Sequence, residues 1–427
     1  MMAAGQRIGL ISEHASPLAS LGGVDSGGQN VYVAALARHL GMLGYSVDVF
    51  TRWDDADLPR VVEFAPNARV VHIQAGPIAP VRKEDLLQHM GAFTADLLNF
   101  ARHEGYPYSL FHANFWMSGL VAADIKRRIG VPFVITFHAL GKVRLIHQGK
   151  ADQFPAERLA IEERIVREAD AIIAECPQDE ADLLTHYNAD PTCITIIPCG
   201  VNTDQFQPIH QWTARALLGL NPRERYILQL GRMVPRKGVE TVIQALALLV
   251  DRYGVLAHLL IVGGEADEPD PLKTPEIGRL MAIAEREGVA HRVTFVGRKR
   301  RDELKYYYAA ANVFVTTPWY EPFGMTPLEA MACGTPVIGA NVGGIKYSVA
   351  DGETGYLVPP KDPVALAARL CDLLSNEQRA DTFGRNAVSR VHEQFVWLKV
   401  AEQVSTLYAG MLSRYQVEAL TELNATR

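Results

Sequence analysis

The sequence predicts an α/β protein built from two doubly wound domains, each with a parallel sheet. Short β-branched segments such as Ser46–Arg52 alternate with amphipathic helices such as Glu157–Glu168, which is the pattern of βαβ units. The alternation stops over residues 198–210, where turn-forming residues are frequent, and then begins again. A chain of 427 residues is long enough for two such domains.

The predicted strands divide between the two domains. In the first domain they follow the apolar stretch Arg7–Ser12 and are Ser46–Arg52, Arg69–Gln74, Leu110–Ala113, Phe133–His138, Ala171–Glu175 and Ile194–Pro198. In the second domain they are Tyr226–Gly231, His258–Gly264, Val293–Gly297, Val313–Pro318 and Pro336–Ala340. We therefore assign residues 1–200 to the first domain and 206–395 to the second, with 198–210 as a linker and a helix at 396–416 that packs back on the first domain. Such sheets bind ligands at the carboxyl ends of their strands, so we expect the domains to face each other across a ligand-binding cleft.

Composition narrows the class of protein. The net charge is −6 and no basic block stands out, which argues against a nucleic-acid partner. We find no run of 18 apolar residues and no signal peptide, so no membrane span is expected. The five cysteines form no CxxC pair, which favours thiols in a reducing cytoplasm. Nothing in the sequence points to an oligomeric state.

A glycine-rich segment, GGVDSGGQN at residues 22–30, precedes the first predicted helix. Gly27, Gly28 and Gln29 fall where helix N–H groups meet a ligand, and glycine lets a phosphate or sugar approach the backbone. The glycines come about ten residues after the strand, so the dinucleotide spacing G-x-G-x-x-G does not fit. A flexible surface loop is the alternative.

Two segments of the second domain carry sharper signals. GRMVPRKG, residues 231–238, puts Arg232 and Lys237 in one strand-to-helix loop, where two cations suit a diphosphate; a solvated loop is the alternative. EPFGMTPLEAMACGTPV, residues 321–337, places Glu321 in a loop, a tight turn at Gly324 and Glu329 on a helix, where it could bind a ribose diol. The alternative for Glu329 is a favourable interaction with the helix dipole.

These segments together resemble the retaining, sugar-nucleotide-dependent glycosyltransferases of family 4, which have the GT-B fold of two Rossmann-like domains. The E-x7-E arrangement of EPFGMTPLEA carries the resemblance, which covers essentially the whole chain. DSGGQNVYVAALARHL is similar to the glycine loop of the sucrose-phosphate synthases, the sucrose synthases and the D-inositol-3-phosphate branch. GPIAPVRKEDL is similar to the sucrose-phosphate synthase branch, and VPFVITFHALGKVR is similar to both that branch and the inositol-phosphate branch. HANFWMSG is similar to the D-inositol-3-phosphate branch, which carries a methionine where this chain has Gln29.

The resemblance implies roles for individual residues. Arg232 and Lys237 would hold the donor diphosphate, Glu329 the nucleotide ribose, and Glu321 would lie beside the donor sugar. The residues whose backbone would bind the donor are Gly28, Phe323, Gly324, Met325 and Thr326. His138 would lie near the donor sugar, unless it is a buried structural histidine at a strand end. The implied acceptor residues are Gly27, Gln29, Lys83, Arg144 and Arg158, of which the last three could instead be surface bases.

The implied reaction moves a hexose, UDP-glucose being the first candidate donor, to a phosphorylated sugar, as in sucrose-phosphate synthase. Transfer to an inositol phosphate is the second possibility. We find no first-domain acid placed as a nucleophile, so a front-face reaction assisted by the departing diphosphate is expected. No metal or other cofactor is expected, because we find no metal site with useful spacing. Asp55-Ala56-Asp57 matches the metal-binding D-x-D motif of a different glycosyltransferase fold, but it falls in a loop after the second strand and fits a solvated turn. A UDP-sugar epimerase, a sugar-nucleotide sensor and a transferase with a lipid acceptor stay as alternatives.

Overall fold

The computed structural model describes residues 5–19, 27–105, 108–149 and 152–425. Its contacts divide the chain into two compact units. The described part of the first unit runs to Pro198 and resumes at Trp397, and the second unit includes Cys199–Val396. The sequence placed these divisions at residues 200, 206 and 395.

The first unit is built on an eight-stranded sheet, counted over the described residues, in the order β3-β4-β2-β1-β5-β6-β7-β8. Its strands are β1 (Arg7–Ile11), β2 (Ser46–Arg52), β3 (Val61–Ala65), β4 (Ala68–Ile73), β5 (Leu110–Asn114), β6 (Phe133–Thr136), β7 (Ala171–Ala174) and β8 (Ile194–Ile196). All neighbours pair in parallel except β3, which is antiparallel to β4. The sequence analysis missed β3, because this edge strand is only partly buried and lacks a strong apolar pattern.

Helices cover both faces of this sheet. Successive side chains of a strand point to opposite faces, so one strand can contact helices on both sides. The helices are α1 (Gly28–Met42), α2 (Met90–His103), α3 (Trp116–Ile129), α4 (Gly141–Gln148), α5 (Glu157–Glu168), α6 (Pro177–Tyr187) and α15 (Trp397–Ala425). Phe111 and Ala113 of β5 join the core formed with α2, α3 and α5. His112 points to the opposite face, where its Nδ1 lies 2.7 Å from the hydroxyl of Tyr408 on α15. The helix expected to return to the first domain therefore does so.

The second unit has a six-stranded parallel sheet, again counted over the described residues, in the order β11-β10-β9-β12-β13-β14. Its strands are β9 (Tyr226–Leu230), β10 (His258–Val262), β11 (Val293–Gly297), β12 (Val313–Thr316), β13 (Val337–Ala340) and β14 (Gly355–Val358). Its helices are α7 (Gln211–Leu217), α8 (Val239–Tyr253), α9 (Pro275–Arg286), α10 (Leu304–Ala310), α11 (Met325–Ala332), α12 (Ile345–Ser348), α13 (Pro363–Ser375) and α14 (Glu377–Gln394). The sequence analysis missed β14, a short edge strand of four residues.

The division between the two units falls at Pro198 and Cys199, within the predicted linker 198–210, and the rest of that segment belongs to the second unit. Phe206 is fully buried, and its ring contacts the ring of Tyr308 at a centroid distance of 6.0 Å. Val201 forms a parallel bridge with Val396. The segment lacks periodicity because it is irregular backbone that packs onto the second unit. A sequence without periodicity does not show whether such a segment is packed or solvated.

Candidate active site

The carboxyl edge of the first sheet carries a hydrogen-bonded row of polar side chains. Gln29, in the first turn of α1, donates from Nε2 to the Ser12 hydroxyl at 3.3 Å and to the Asn114 carbonyl at 3.1 Å. Ser12 and Asn114 lie at the ends of the adjacent strands β1 and β5. Gln29 therefore anchors the start of α1 to the sheet.

The glycines of this segment lie where α1 begins. Gly27 is the N-cap residue of α1, and its N–H donates to the Asn30 side chain at 2.9 Å. Gly28 is the first helical residue and is exposed to solvent. Residues 22–26 of the predicted loop lie outside the described residues. The first N–H groups of a helix have no intrahelical partner, so the exposed backbone at Gly28 can donate to a ligand.

His138 continues the row on the other side of Asn114. Its Nε2 lies 3.1 Å from Asn114 Oδ1, and its Nδ1 lies 3.0 Å from Glu175 Oε1. The predicted strand Phe133–His138 ends two residues early, and His138 takes a positive φ of 57°. A side chain other than glycine is strained in that region, and such strain is concentrated at functional sites.

The next carboxylate along this edge is Asp179, near the start of α6. Its Oδ2 accepts a hydrogen bond from the backbone N–H of Glu175 at 3.0 Å. Burial, followed by the negative charge of Glu175, raises the pKa of Asp179 to about 7. The row thus ends in two coupled carboxylates, of which one titrates near neutral pH.

The three basic residues assigned to an acceptor phosphate each face a different carboxylate. Lys83 Nζ lies 4.0 Å from Glu84, Arg144 Nη2 lies 3.0 Å from Asp152, and Arg158 Nε lies 2.7 Å from Glu162. The segments that carry these residues are neighbours, since the Arg82 guanidinium hydrogen-bonds the Gln153 side chain. The guanidinium groups of Arg144 and Arg158 lie 5.2 and 4.6 Å from the ring of Phe154.

Arg158 is 2% exposed, so the surface-base alternative is wrong for this residue. Its Nη2 donates to the Ala139 carbonyl at 2.5 Å, and its partner Glu162 accepts from the Gly141 N–H at 2.9 Å. The pair therefore holds the turn that follows His138. The Nη1 of Arg158 is buried without a hydrogen-bond partner in the structure, so this group is enclosed and does not face solvent.

The sequence analysis missed the acids at the carboxyl edge of this sheet. Glu13, after β1, is fully buried, and its carboxylate contacts His14 Nδ1 at 2.7 Å and the Ser118 hydroxyl. Glu175, after β7, contacts His138. Glu13 and Glu175 both lie at the carboxyl end of an apolar strand, and this position was the sequence signal that could have identified them. Because Glu13 is enclosed by its partners, it is not placed as an accessible nucleophile.

In the second unit, the two loops with the strongest sequence signals are in direct contact. Lys237 Nζ donates a hydrogen bond to Glu321 Oε2. The Thr317 hydroxyl donates to the Gly238 carbonyl at 2.9 Å, and the Trp319 N–H donates to the Arg236 carbonyl, also at 2.9 Å. A Cβ on Gly238, which has a φ of 69°, would lie 2.0 Å from the Thr317 carbonyl oxygen. The close approach of the loops therefore requires glycine at this position.

Positive charge surrounds the Glu321 carboxylate. Burial would raise the pKa of Glu321, but Lys237, Arg236 and Arg232 outweigh burial and hold this pKa below its ordinary value. Burial lowers the pKa of Lys237, against the opposing charge of Glu321. The sequence analysis missed Arg236, whose guanidinium lies 5.2 Å from the Tyr320 ring and has one buried nitrogen without a hydrogen-bond partner. Three cations around one carboxylate leave a net positive charge that suits an anionic ligand.

The loop from Glu321 to Gly324 is supported by a pair of glycines that the sequence analysis also missed. A Cβ on Gly343 would lie 1.7 Å from the Glu321 carbonyl oxygen, and a Cβ on Gly344 would lie 2.4 Å from the Phe323 backbone. Phe323 is buried, and Gly324 takes a φ of 91° as the N-cap of α11. Met325 and Thr326 open that helix, so their N–H groups have no intrahelical partner.

Glu329 lies in the middle of α11 and not in its first turn, so the helix-dipole alternative is wrong. Its Oε1 lies 2.6 Å from Arg301 Nη2, and its Oε2 accepts from the Tyr308 hydroxyl at 2.9 Å. Its side chain is 3% exposed. Both carboxylate oxygens of Glu329 are therefore engaged, and a carboxylate has lone pairs left for further donors.

A cavity of about 160 Å³ lies at the carboxyl ends of β9, β10 and β11. Gly231 and Arg232 line it after β9, Gly263 and Gly264 after β10, and the basic run 298–301 contributes three residues after β11. This run is a basic block that the sequence analysis overlooked. Three of its four members are paired with acids in the structure, Arg298 with Asp267, Arg300 with Asp302 and Arg301 with Glu329.

No metal site or membrane span is found within the part of the chain that the structure describes. No group of three His, Cys, Asp or Glu side chains there could hold a metal ion, and no helix is long and apolar enough to cross a membrane. Asp55 and Asp57 are exposed, and the Asp55 side chain accepts the Asp57 N–H at 3.0 Å, as in a solvated turn. All five cysteines lie in this part and remain thiols.

Two family models match the chain. The model described as Glycosyltransferase Family 4 matches residues 26–205, and the model described as Glycosyl transferases group 1 matches residues 210–390. Two parallel-sheet α/β units and these matches define a glycosyltransferase of the GT-B fold. The chain belongs to glycosyltransferase family 4.

Two curated relatives and one solved structure place it within that family. It is 36% identical to D-inositol 3-phosphate glycosyltransferase 2 of Catenulispora acidiphila, over 98% of each chain. It is 37% identical to D-inositol 3-phosphate glycosyltransferase of Streptomyces bingchenggensis, over 96% of this chain and 90% of the relative. It is also 37% identical to sucrose-phosphate synthase from Thermosynechococcus elongatus, with a TM-score of 0.87 over 96% of this chain and 100% of that structure.

Proposed function

We propose that this glycosyltransferase moves a hexose, with retention of configuration, from a nucleoside diphosphate sugar to a phosphorylated sugar. UDP-glucose is the first candidate donor and a ketohexose phosphate such as fructose 6-phosphate the first candidate acceptor. The observation that carries the proposal is the contact of Lys237 with Glu321, with Arg232 and Arg236 nearby.

The donor assignment follows from charge and backbone geometry in the second unit. A diphosphate brings the negative charge that the cations around Glu321 lack, and charge-assisted hydrogen bonds from Arg and Lys are strong. The N–H groups of Met325 and Thr326 suit sugar hydroxyls or a phosphate oxygen. The cavity beside Arg232 and Arg301 would take the nucleoside, with Glu329 accepting from the ribose hydroxyls.

Transfer would then proceed by direct exchange at the anomeric carbon. The bond from C1 of the hexose to the diphosphate oxygen breaks, and a bond from C1 to the acceptor hydroxyl oxygen forms on the same face. The hydroxyl proton passes to a diphosphate oxygen of the leaving nucleotide, so no protein base is consumed. Lys237 and Arg232 would stabilise the charge that develops on this leaving group, and no metal ion is required for that purpose.

Support for the acceptor is divided between two branches of the family. The relatives named for D-inositol 3-phosphate favour an inositol phosphate, and the similar structure named sucrose-phosphate synthase favours a sugar phosphate. Gln29 favours the sugar phosphate, because the inositol branch carries a methionine at this position. The partly exposed guanidinium of Arg144 supports a phosphorylated acceptor in either case.

The deciding experiment is a matrix of substrates with mass-spectrometric detection. UDP-, GDP- and ADP-hexoses are each combined with fructose 6-phosphate, D-inositol 3-phosphate, fructose and inositol. We expect a phosphorylated disaccharide from UDP-glucose and fructose 6-phosphate, with an α-linkage by NMR. A product from D-inositol 3-phosphate alone would move the enzyme to the second branch, and turnover of the free sugars at equal rates would contradict the proposal.

A further inference from the structure

Glu175 is a buried carboxylate that contacts the proposed catalytic histidine. Its side chain is 3% exposed, and Oε1 lies 3.0 Å from Nδ1 of His138. The two residues follow the adjacent strands β7 and β6 at the carboxyl edge of the sheet. Burying a carboxylate is costly unless it is hydrogen-bonded, so this position is not expected for a carboxylate without a role.

The opposite side of the imidazole is held by Asn114. Its Nδ2 lies within donating distance of the Ile11 and His112 carbonyls, at 3.4 and 3.3 Å, and its Oδ1 lies 3.1 Å from His138 Nε2. Asn114 is fully buried, so its orientation is fixed by the sheet. With both ring nitrogens engaged, the imidazole has one orientation.

The backbone around His138 is held by a separate pair. Arg158 binds the Ala139 carbonyl, and Glu162 binds the Gly141 N–H. The positive φ of His138 persists because these contacts fix the turn. Glu175 contacts the ring, whereas Arg158 and Glu162 supply these contacts to the turn, so a substitution of Glu175 leaves them in place.

We propose that Glu175 is a positioning residue that fixes the imidazole plane of His138 for contact with the hexose of the donor. This inference rests on the proposed function and on the family resemblance, which implies that His138 lies near the donor sugar. A displacement of about 1 Å in a catalytic group can cost about 100-fold in rate, so a carboxylate that fixes the ring has a measurable effect.

A double-mutant cycle tests the proposal. Glu175→Leu removes the contact, and Glu175→Gln keeps an oxygen that can accept from Nδ1. We expect E175L to lower kcat by about 10- to 100-fold, with E175Q retaining part of the rate and the KM for the nucleotide sugar changing by less than about threefold. In a His138→Ala background, neither substitution should lower kcat further, because the residue through which Glu175 acts is gone.

Asp48→Asn is the matched control, because Asp48 is a buried carboxylate of the same sheet that pairs with Arg69 and Tyr108. It should affect stability without changing kcat per folded enzyme. The proposal would be overturned if E175L lowered kcat by the same factor in the His138→Ala background as in the wild-type enzyme. A His138→Ala variant with wild-type kcat would overturn it too, and would also remove His138 from the proposed active site.

A spectroscopic measurement tests the contact without reference to activity. The ring nitrogens of His138 are followed by 1H–15N NMR with 15N-labelled histidine, and their signals are assigned through their loss in His138→Ala. We expect the His138 signals to shift in E175L and not in Asp48→Asn. Unchanged signals in E175L would overturn the positioning role even where the enzyme transfers a hexose as proposed.

Discussion

Lys237 and Glu321 are in direct contact although 84 positions separate them in the sequence. The contact joins the loop after β9 to the loop before α11, and Arg232 and Arg236 add positive charge on the same side. One carboxylate thus fixes the position of the lysine without cancelling the charge of the whole cluster. The predictions for the donor site follow from this arrangement.

We expect Lys237→Ala and Arg232→Ala each to lower the transfer rate by about 100-fold or more, because each removes a charge that stabilises the leaving diphosphate. The measurement is the steady-state rate with the best donor and acceptor pair. Arg286→Ala is the control, since Arg286 is 61% exposed and pairs with its neighbour Glu287. Near-wild-type rates in both donor-site variants would remove these residues from the site.

Gly343→Ala should raise the KM for the nucleotide sugar at least about tenfold. The new Cβ would lie 1.7 Å from the Glu321 carbonyl oxygen, so the loop that carries Glu321 must move. Gly352→Ala is the matched control, because Gly352 also has a positive φ, of 77°, but its Cβ would meet no atom within 4 Å. Gly352→Ala should lower the free energy of unfolding by about 1 kcal/mol without changing the KM for the nucleotide sugar. Equal KM values in the two variants would show that Gly343 does not support the donor loop.

Arg144→Ala should raise the KM for the phosphorylated acceptor and leave binding of the nucleotide sugar nearly unchanged. The expected increase is about tenfold or more, from the loss of one charge-assisted hydrogen bond to a phosphate. Arg127→Ala, at a 51% exposed position of the same unit, serves as the control. A weaker affinity for the donor in Arg144→Ala, measured by calorimetry with UDP, would contradict the assignment to the acceptor.

The stability of the first unit should depend on pH through Asp179. Its pKa is about 7 in the folded protein against 3.8 as the ordinary value, so the folded state binds the proton more tightly than the unfolded chain. The contribution of protonated Asp179 to the free energy of unfolding is therefore complete below about pH 4 and is lost as the pH rises towards about 7. Asp179→Asn should remove this slope and raise Tm by a few degrees at pH 8.

Calorimetry between pH 5 and 8 measures the slope, and Asp57→Asn is the control at an exposed site. A variant Asp179→Asn that keeps the full wild-type decrease of Tm with pH would assign the dependence to another group.

Transfer should survive chelation by EDTA. Lys237 and the neighbouring arginines supply the positive charge that a metal ion would otherwise bring to the diphosphate. The measurement is the rate before and after EDTA treatment, with Mg²⁺ or Mn²⁺ added back. Activity that is lost with EDTA and restored only by the metal would contradict the expectation.

Local sequence was sufficient for most of the sheet strands and for the donor loops. Val293–Gly297 is observed with its predicted bounds, and Ser46–Arg52 likewise. Both segments are rich in β-branched or aromatic residues, and all their residues except Thr294 are buried or partly buried, so their pattern reflects their environment. The loops with Arg232, Lys237 and Glu321 were found because each lies between a strand and a helix, where a doubly wound sheet places its ligands.

The sequence by itself determined the two-unit α/β architecture, the family and the residue types of the donor loops, because periodicity, glycines and charged motifs are local properties. Only the tertiary structure decided the partners: Glu175 and Asn114 on His138, and Gly343 beside Glu321. These partners are distant in sequence and are brought together by strand order and loop packing. A buried carboxylate and an exposed one look alike in the sequence, because burial and hydrogen bonding arise only when the sheet and its loops have formed.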